Sequence, residues 1–204
     1  MQEKTLIIAY GNRDREDDGA GWHILDKLAR RLGLETPQLP GNQVSTPDGK
    51  LTLLYLFQLL PEMAADLDVY TQVIFIDAHN APSLPDLVFE EVLPSQEHSA
   101  FTHHMGAGEL LAIARILGKE IPHAWMLSVR GFSFRFAQAL SPQTSELVVQ
   151  ALDRLLDHGE KGIPEDVIVN FITVFLSMGD ELRNPEKEDR TFTIGNDSRI
   201  VRLL

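Results

Sequence analysis

Two unbroken apolar runs constrain this chain most: Leu6-Ile7-Ile8-Ala9-Tyr10 near its start and Val73-Ile74-Phe75-Ile76 further on. Neither has the polar alternation of a half-exposed strand, so both faces of each need cover, as in the central strands of a parallel sheet. Each also ends abruptly, the first at Gly11-Asn12 and a charged loop reaching Asp18, the second at Asp77-Ala78-His79-Asn80. Helical spacing follows the first run, with Ile24, Leu25, Leu28 and Leu32 on one side, Asp26 and Lys27 turned away, and Gly33 as a stop. Residues 51–54 fit another strand, and residues 57–67 carry a helical pattern. Residues 87–93 and 124–129 read as strands on either side of a helix over 106–117, and Ser141-Pro142 opens a long helix through residue 156. The alternation specifies the α/β class, in three layers, with a mostly parallel twisted sheet flanked by helices.

After His158 the pattern changes. Gly162-Ile163-Pro164-Glu165-Asp166 reads as a helix start, and residues 167–178 are apolar on nearly every side. Thr191-Phe192-Thr193-Ile194 and Arg199-Ile200-Val201-Arg202, around Gly195-Asn196-Asp197-Ser198, read as a hairpin. The expected organisation is one domain over residues 1–158, with a C-terminal extension of helix and hairpin over 159–204 packed on it.

Composition narrows the chemistry. A net charge of −12 over 204 residues repels phosphate backbones and anionic membranes, so the expected partner is a protein or small molecule, not nucleic acid or a membrane. With no cysteine, thiolate metal sites and Cys nucleophiles are excluded, and a bound metal must use oxygen and imidazole donors. The first apolar run is too short for a signal-peptide core or a membrane span, which leads to the expectation of a cytoplasmic protein. H-E-x-x-H, G-x-S-x-G and G-x-x-x-x-G-K-[ST] are all missing.

Three places carry candidate chemistry, all beyond the carboxyl ends of expected strands, where open α/β sheets bind ligands. The loop from Gly11 to Gly19 holds four acids and two arginines. Acids before a helix serve as caps and complement its dipole, which accounts for some of them. Asp18 stands apart at the loop's end, with Gly19 and Gly21 leaving the backbone uncrowded, so capping and metal binding divide naturally between Asp17 and Asp18. Asp77 follows four apolar residues, and a charge at that rim needs backbone N–H donors or a cation. In Thr102-His103-His104-Met105-Gly106, two imidazoles precede a helix N-terminus, which favours their neutral, metal-binding form.

Taken in order, these residues resemble the hydrogenase maturation proteases, endopeptidases that trim the C-terminus of the nickel–iron hydrogenase large subunit. The marks are Gly11-Asn12, Arg15, Asp17-Asp18-Gly19 and Gly21; then Ile76-Asp77-Ala78, after the stretch carrying Gln58-Leu59-Leu60-Pro61-Glu62; then His103-His104-Met105-Gly106; and finally Gly131 and Leu140-Ser141-Pro142. The similarity spans residues 6–156, and Arg13-Asp14 departs from the small or apolar pair usual after Gly-Asn. The resemblance implies a phosphorylase/hydrolase-like fold and a metal-dependent hydrolase of the aspartic-type endopeptidase kind. Asp18, Asp77 and His103 would then bind nickel and act in catalysis, with His104 the alternative to His103. It also implies that nickel arrives with the hydrogenase large subunit precursor, with Cd or Zn as substitutes in crystals, and that the enzyme is a monomer or weak dimer. A nickel-dependent assembly chaperone without proteolysis, and a Rossmann-like hydrolase of a small ligand, stay open as alternatives.

Overall fold

The computed structural model describes residues 3–95 and 105–156. The expected C-terminal extension, with its helix and hairpin, therefore lies outside the described residues. Among the described residues, six strands form one sheet: β1 (Thr5–Tyr10), β2 (Gln43–Ser45), β3 (Leu51–Leu56), β4 (Gln72–His79), β5 (Leu87–Glu91) and β6 (His123–Arg130), in the order β2-β3-β1-β4-β6-β5. The four central strands are parallel, and β2 and β5 run antiparallel at the two edges. The α-helices of the described residues that flank the sheet are α1 (Ala20–Arg31), α2 (Ala107–Ile116) and α3 (Pro142–Leu156). The α/β class and the three layers expected from the sequence are the ones observed.

Period-two alternation explains why β1 and β4 read as continuous apolar runs. Ile7 and Ala9 of β1, with Ile74 and Ile76 of β4, pack against Ile24, Leu25 and Leu28 of α1 and Val148, Ala151 and Leu152 of α3. Leu6 and Ile8, with Val73 and Phe75, turn to the opposite face and pack against Leu110, Leu111 and Ala114 of α2. Both sides of the sheet are therefore core. Each fully buried Ile or Leu contributes about 1.5–3 kcal/mol of apolar transfer.

The helical pattern expected over residues 57–67 is not a helix. Leu60 is extended (φ −123°, ψ 139°), and beyond it lie a 3-10 turn over Pro61–Ala65 and another over Leu67–Val69. Proline disfavours helical geometry in the residue before it, so the chain cannot enter Pro61 already coiled. Leu59, Ala64 and Leu67 are nonetheless buried beneath α2, and this one-sided burial produces the helix-like spacing. The short edge strand β2 carries no sequence signal, since its residues are exposed or half-buried and polar in part.

Candidate active site

From β1 the chain continues to β3 on one side of the sheet, and from β4 it continues towards β6 on the other, so the topological switch point lies between β1 and β4. At that point, beyond the carboxyl ends of the two strands, the flanking connections diverge and leave a crevice. Asp18 enters it from the loop after β1, and Asp77 from the C-terminal part of β4.

The first wall depends on Gly11. Its φ of +122° is accessible to glycine, and a Cβ there would lie 2.1 Å from the Asp18 carbonyl oxygen. The same Cβ would lie 3.7 Å from Asp77 Oδ1, so the tight turn brings the two aspartates to one place. The buried Tyr55 hydroxyl donates to the Gly11 carbonyl at 3.0 Å and holds the turn from below. Gly21 admits the start of α1 against the strand ends, since a Cβ there would meet the Ile76 carbonyl oxygen at 2.9 Å and that of Tyr10 at 3.1 Å. We expect Gly11→Ala to cost about 3 kcal/mol or more, from combined backbone strain and overlap. A melting temperature within about 2 °C of wild type would show that the turn tolerates a side chain.

The four acids of the loop have separate tasks. Asp17 is fully buried. Its Oδ2 accepts the N–H groups of Phe132 at 2.7 Å and Ser133 at 2.8 Å and the Ser141 hydroxyl at 2.7 Å, and its Oδ1 accepts the Ser141 N–H at 2.7 Å. Burial alone would raise the Asp17 pKa, but the Ser141 donors, the Phe132 N–H and Thr144 reverse this and hold it below the usual carboxylate range. Glu16, at a φ of 47°, accepts the Ser133 hydroxyl and pairs with Arg135 at 3.1 Å. Its pKa is lowered, chiefly by the Ser133 hydroxyl and then by Arg135. Asp14 accepts from the Gln138 side chain at 2.7 Å. These contacts strap the stretch from Gly131 to Ser141 onto the acidic loop. Asp18 takes no part in the strap: its Oδ2 accepts the Asn12 N–H at 3.1 Å and the carboxylate remains at the crevice.

Asp77 sits within β4, beside Ser128 of β6, and alternation puts it on the same sheet face as Phe75 and α2. Its Oδ1 accepts the N–H of Ala78 at 2.7 Å. That is the backbone-acceptor arrangement one reading of the sequence allowed, and it occupies a single oxygen. The Asp77 pKa is pushed up to about 7, mainly by burial and further by the negative charge of Asp18, against the Ala78 N–H and the Tyr10 hydroxyl. Two partly desolvated carboxylates close enough to repel form a site that gains from a cation.

His103 and His104 lie outside the described residues, so the geometry brings together Asp18 and Asp77 alone of the expected set. Among the described residues no group of three His, Asp or Glu side chains stands in position to hold a metal ion. Sequence reasoning missed the strap. Glu16 and Asp17 read as helix caps because their acceptor role depends on donors more than a hundred residues away. His79 has no distinctive setting in the sequence, yet both of its ring nitrogens are buried, and burial lowers its pKa.

No family model and no curated protein matches the sequence. Solved structures do share the fold. An endopeptidase from Escherichia coli superposes with a TM-score of 0.58 at 18% identity, covering 75% of this chain and 90% of its own. The hydrogenase maturating endopeptidase HybD from E. coli gives 0.56 at 16% identity, with the same coverage of 75% and 90%. The NiFe hydrogenase maturation protease HycI from Thermococcus kodakarensis KOD1 gives 0.54 at 15% identity, covering 81% of this chain and 92% of its own. At such identities the likeness establishes the common fold, and the chain adopts the three-layer architecture of these proteins.

The aspartic-type expectation needs correction. Structures sharing the fold are described as hydrogenase maturation endopeptidases, a group apart from aspartic proteases. The expected nickel binding by Asp18, Asp77 and His103 finds no support among the described residues, where no group of three such side chains is in position to hold a metal ion. No helix among them is long and apolar enough to cross a membrane.

Proposed function

We propose that this protein is a hydrogenase maturation endopeptidase, which removes the C-terminal peptide of a nickel-loaded nickel–iron hydrogenase large subunit. The observation that carries the reading is the meeting of Asp18 and Asp77 at the switch point of a sheet whose fold is that of proteins described as hydrogenase maturation endopeptidases. With His103, two carboxylates and an imidazole make an incomplete donor set for Ni(II), and coordination positions remain for groups of the substrate. Such a set holds free metal weakly. It binds a substrate whose nickel is already in place far better, so nickel loading becomes the signal for cleavage. Nickel is thus part of the substrate, and its charge relieves the repulsion between the two aspartates as the complex forms. Held there, the ion orients the peptide to be cut or polarises the attacked carbonyl or water.

The test is incubation with the large subunit precursor in nickel-loaded and nickel-free forms, followed by mass measurement. Shortening of the loaded form alone is expected. Tight binding of that form at unchanged mass would replace the peptidase with a nickel-dependent assembly chaperone.

A further inference from the structure

We propose that Arg13, held over the Trp22 ring in the loop that carries Asp18, binds a carboxylate of the C-terminal segment the substrate loses, and so selects which precursor is cut. The assignment rests on the peptidase reading of the crevice. Its backbone is fixed from two sides. Asn12 gives its N–H to Asp18 and accepts the Asp14 N–H on its side-chain oxygen at 2.9 Å, an Asx turn with Arg13 at its centre. A Cβ on Gly19 would lie 2.6 Å from the Arg13 Cα, so Arg13 packs against the glycine that follows Asp18.

The side chain, half-buried, is held as well. Its Cζ lies over the Trp22 ring, 4.9 Å from the centroid. The indole is itself fixed: its N–H donates to the Pro37 carbonyl at 2.9 Å, and its ring meets Tyr55, which supports the Gly11 turn, edge-on at 6.4 Å. The aromatic ring engages the charge of the guanidinium and not its N–H donors. Among the described residues none of those donors makes a hydrogen bond or an ion pair. The acids nearest in sequence are engaged elsewhere: Asp14 with Gln138, Glu16 with Arg135, and Asp17 with Phe132, Ser133 and Ser141.

A planar guanidinium with free donors matches a carboxylate, which it takes through two parallel hydrogen bonds. The loop around it sets the charge of the ligand. Asp14, Glu16, Asp17 and Asp18 repel a phosphate dianion, whereas a single negative charge is balanced by the one arginine. Phe57, exposed just past β3 and edge-on to Tyr55 at 6.3 Å, adds apolar surface beside Gly11, whose N–H its carbonyl accepts. Cation and apolar surface together fit a peptide bearing a carboxylate. A C-terminal segment has one at its end and others on any Asp or Glu it contains.

Arg13→Gln removes the charge at similar length. On nickel-loaded precursor it should raise KM about tenfold with kcat within about twofold, the pattern of lost substrate binding. A fall in melting temperature with KM unchanged makes Arg13 a packing element and overturns the proposal. Two altered precursors locate the carboxylate without touching the enzyme: one ends in an amide, and the other has every Asp and Glu of the removed segment changed to Asn and Gln. One of them should raise the wild-type KM by about the same factor, and with it the Arg13→Gln loss should vanish. A wild-type KM unchanged with each also overturns the proposal. If the wild type leaves the nickel-loaded precursor at full length, the proposed function falls. The Kd of that precursor for the two proteins then decides the role of Arg13: an Arg13→Gln complex about tenfold weaker upholds it, and equal or absent binding ends it.

Discussion

Replacing Asp77 by asparagine is expected to abolish shortening of the nickel-loaded precursor and, at the same time, to make the protein harder to unfold at pH 8. The first effect comes from losing half of the anionic donor pair, because a neutral amide gives a cation far less than a carboxylate does. The second comes from the pKa of about 7 that burial and Asp18 impose on Asp77. At pH well below the ordinary carboxylate value of about 3.9, folded and unfolded chains both carry the protonated acid, and its full contribution to stability is present. As the pH rises, the unfolded chain ionises first, and by pH 8 the folded chain carries a poorly solvated charge. Stability present in acid is therefore lost as the pH climbs through 7. The shift sets a ceiling of about 4 kcal/mol on the penalty, and partial solvent access reduces it to about 2 kcal/mol. For a chain of this size that is about 4–8 °C in melting temperature. Thermal scans at pH 4 and pH 8 should show the gain at pH 8 and little of it at pH 4. An Asp77→Asn protein that melts below wild type at pH 8, or that processes precursor at a normal rate, would show that this carboxylate is neither strained nor part of the site.

Asp17→Ala should do the reverse, with a heavy loss of stability. The side chain is fully buried and serves as acceptor for three backbone N–H groups and a hydroxyl. Alanine leaves those donors facing a void. An unsatisfied buried donor costs about 1–3 kcal/mol, so even with water entering the gap the total is roughly 3–6 kcal/mol, against a usual whole-protein stability of about 5–15 kcal/mol. A fall of about 10 °C or more in melting temperature is the corresponding expectation. The pH dependence has the opposite sign from that of Asp77. Because the Asp17 pKa is held below its unfolded value, its contribution is present above about pH 4 and lost as the pH falls through the lowered value. Urea unfolding at pH 7 and pH 3 distinguishes the two: the wild-type advantage over Asp17→Ala should be large at pH 7 and shrink at pH 3. Equal midpoints at pH 7 would mean that the strap from Gly131 to Ser141 is held by the contacts of Glu16 and Asp14 without Asp17.

The contrast between these neighbours shows how much of the site was legible from the chain. The sequence placed an acidic pair at the end of the first loop and suggested that capping and ligand roles divide between Asp17 and Asp18. It did not show that the acceptor role of Asp17 is filled by Phe132, Ser133 and Ser141, because hydrogen bonds across more than a hundred residues leave no local pattern. Tyr10 was legible only as the apolar end of a strand. Its place beside Asp77 follows from the register in which β1 pairs with β4, and register is a tertiary fact.

What the chain determined by itself was the architecture: unbroken apolar runs in β1 and β4 require cover on both faces, and the helical spacing of α1, α2 and α3 supplies that cover. This holds because burial of apolar surface acts through periodicity, which is written along the chain. The tertiary structure decided which carboxylates meet. Asp18 and Asp77 are close because the strand order puts the switch point between β1 and β4, and because a left-handed glycine at position 11 lets the first loop fold back over it. Charge repulsion and desolvation depend on distance and surroundings, and those exist only once the sheet has formed.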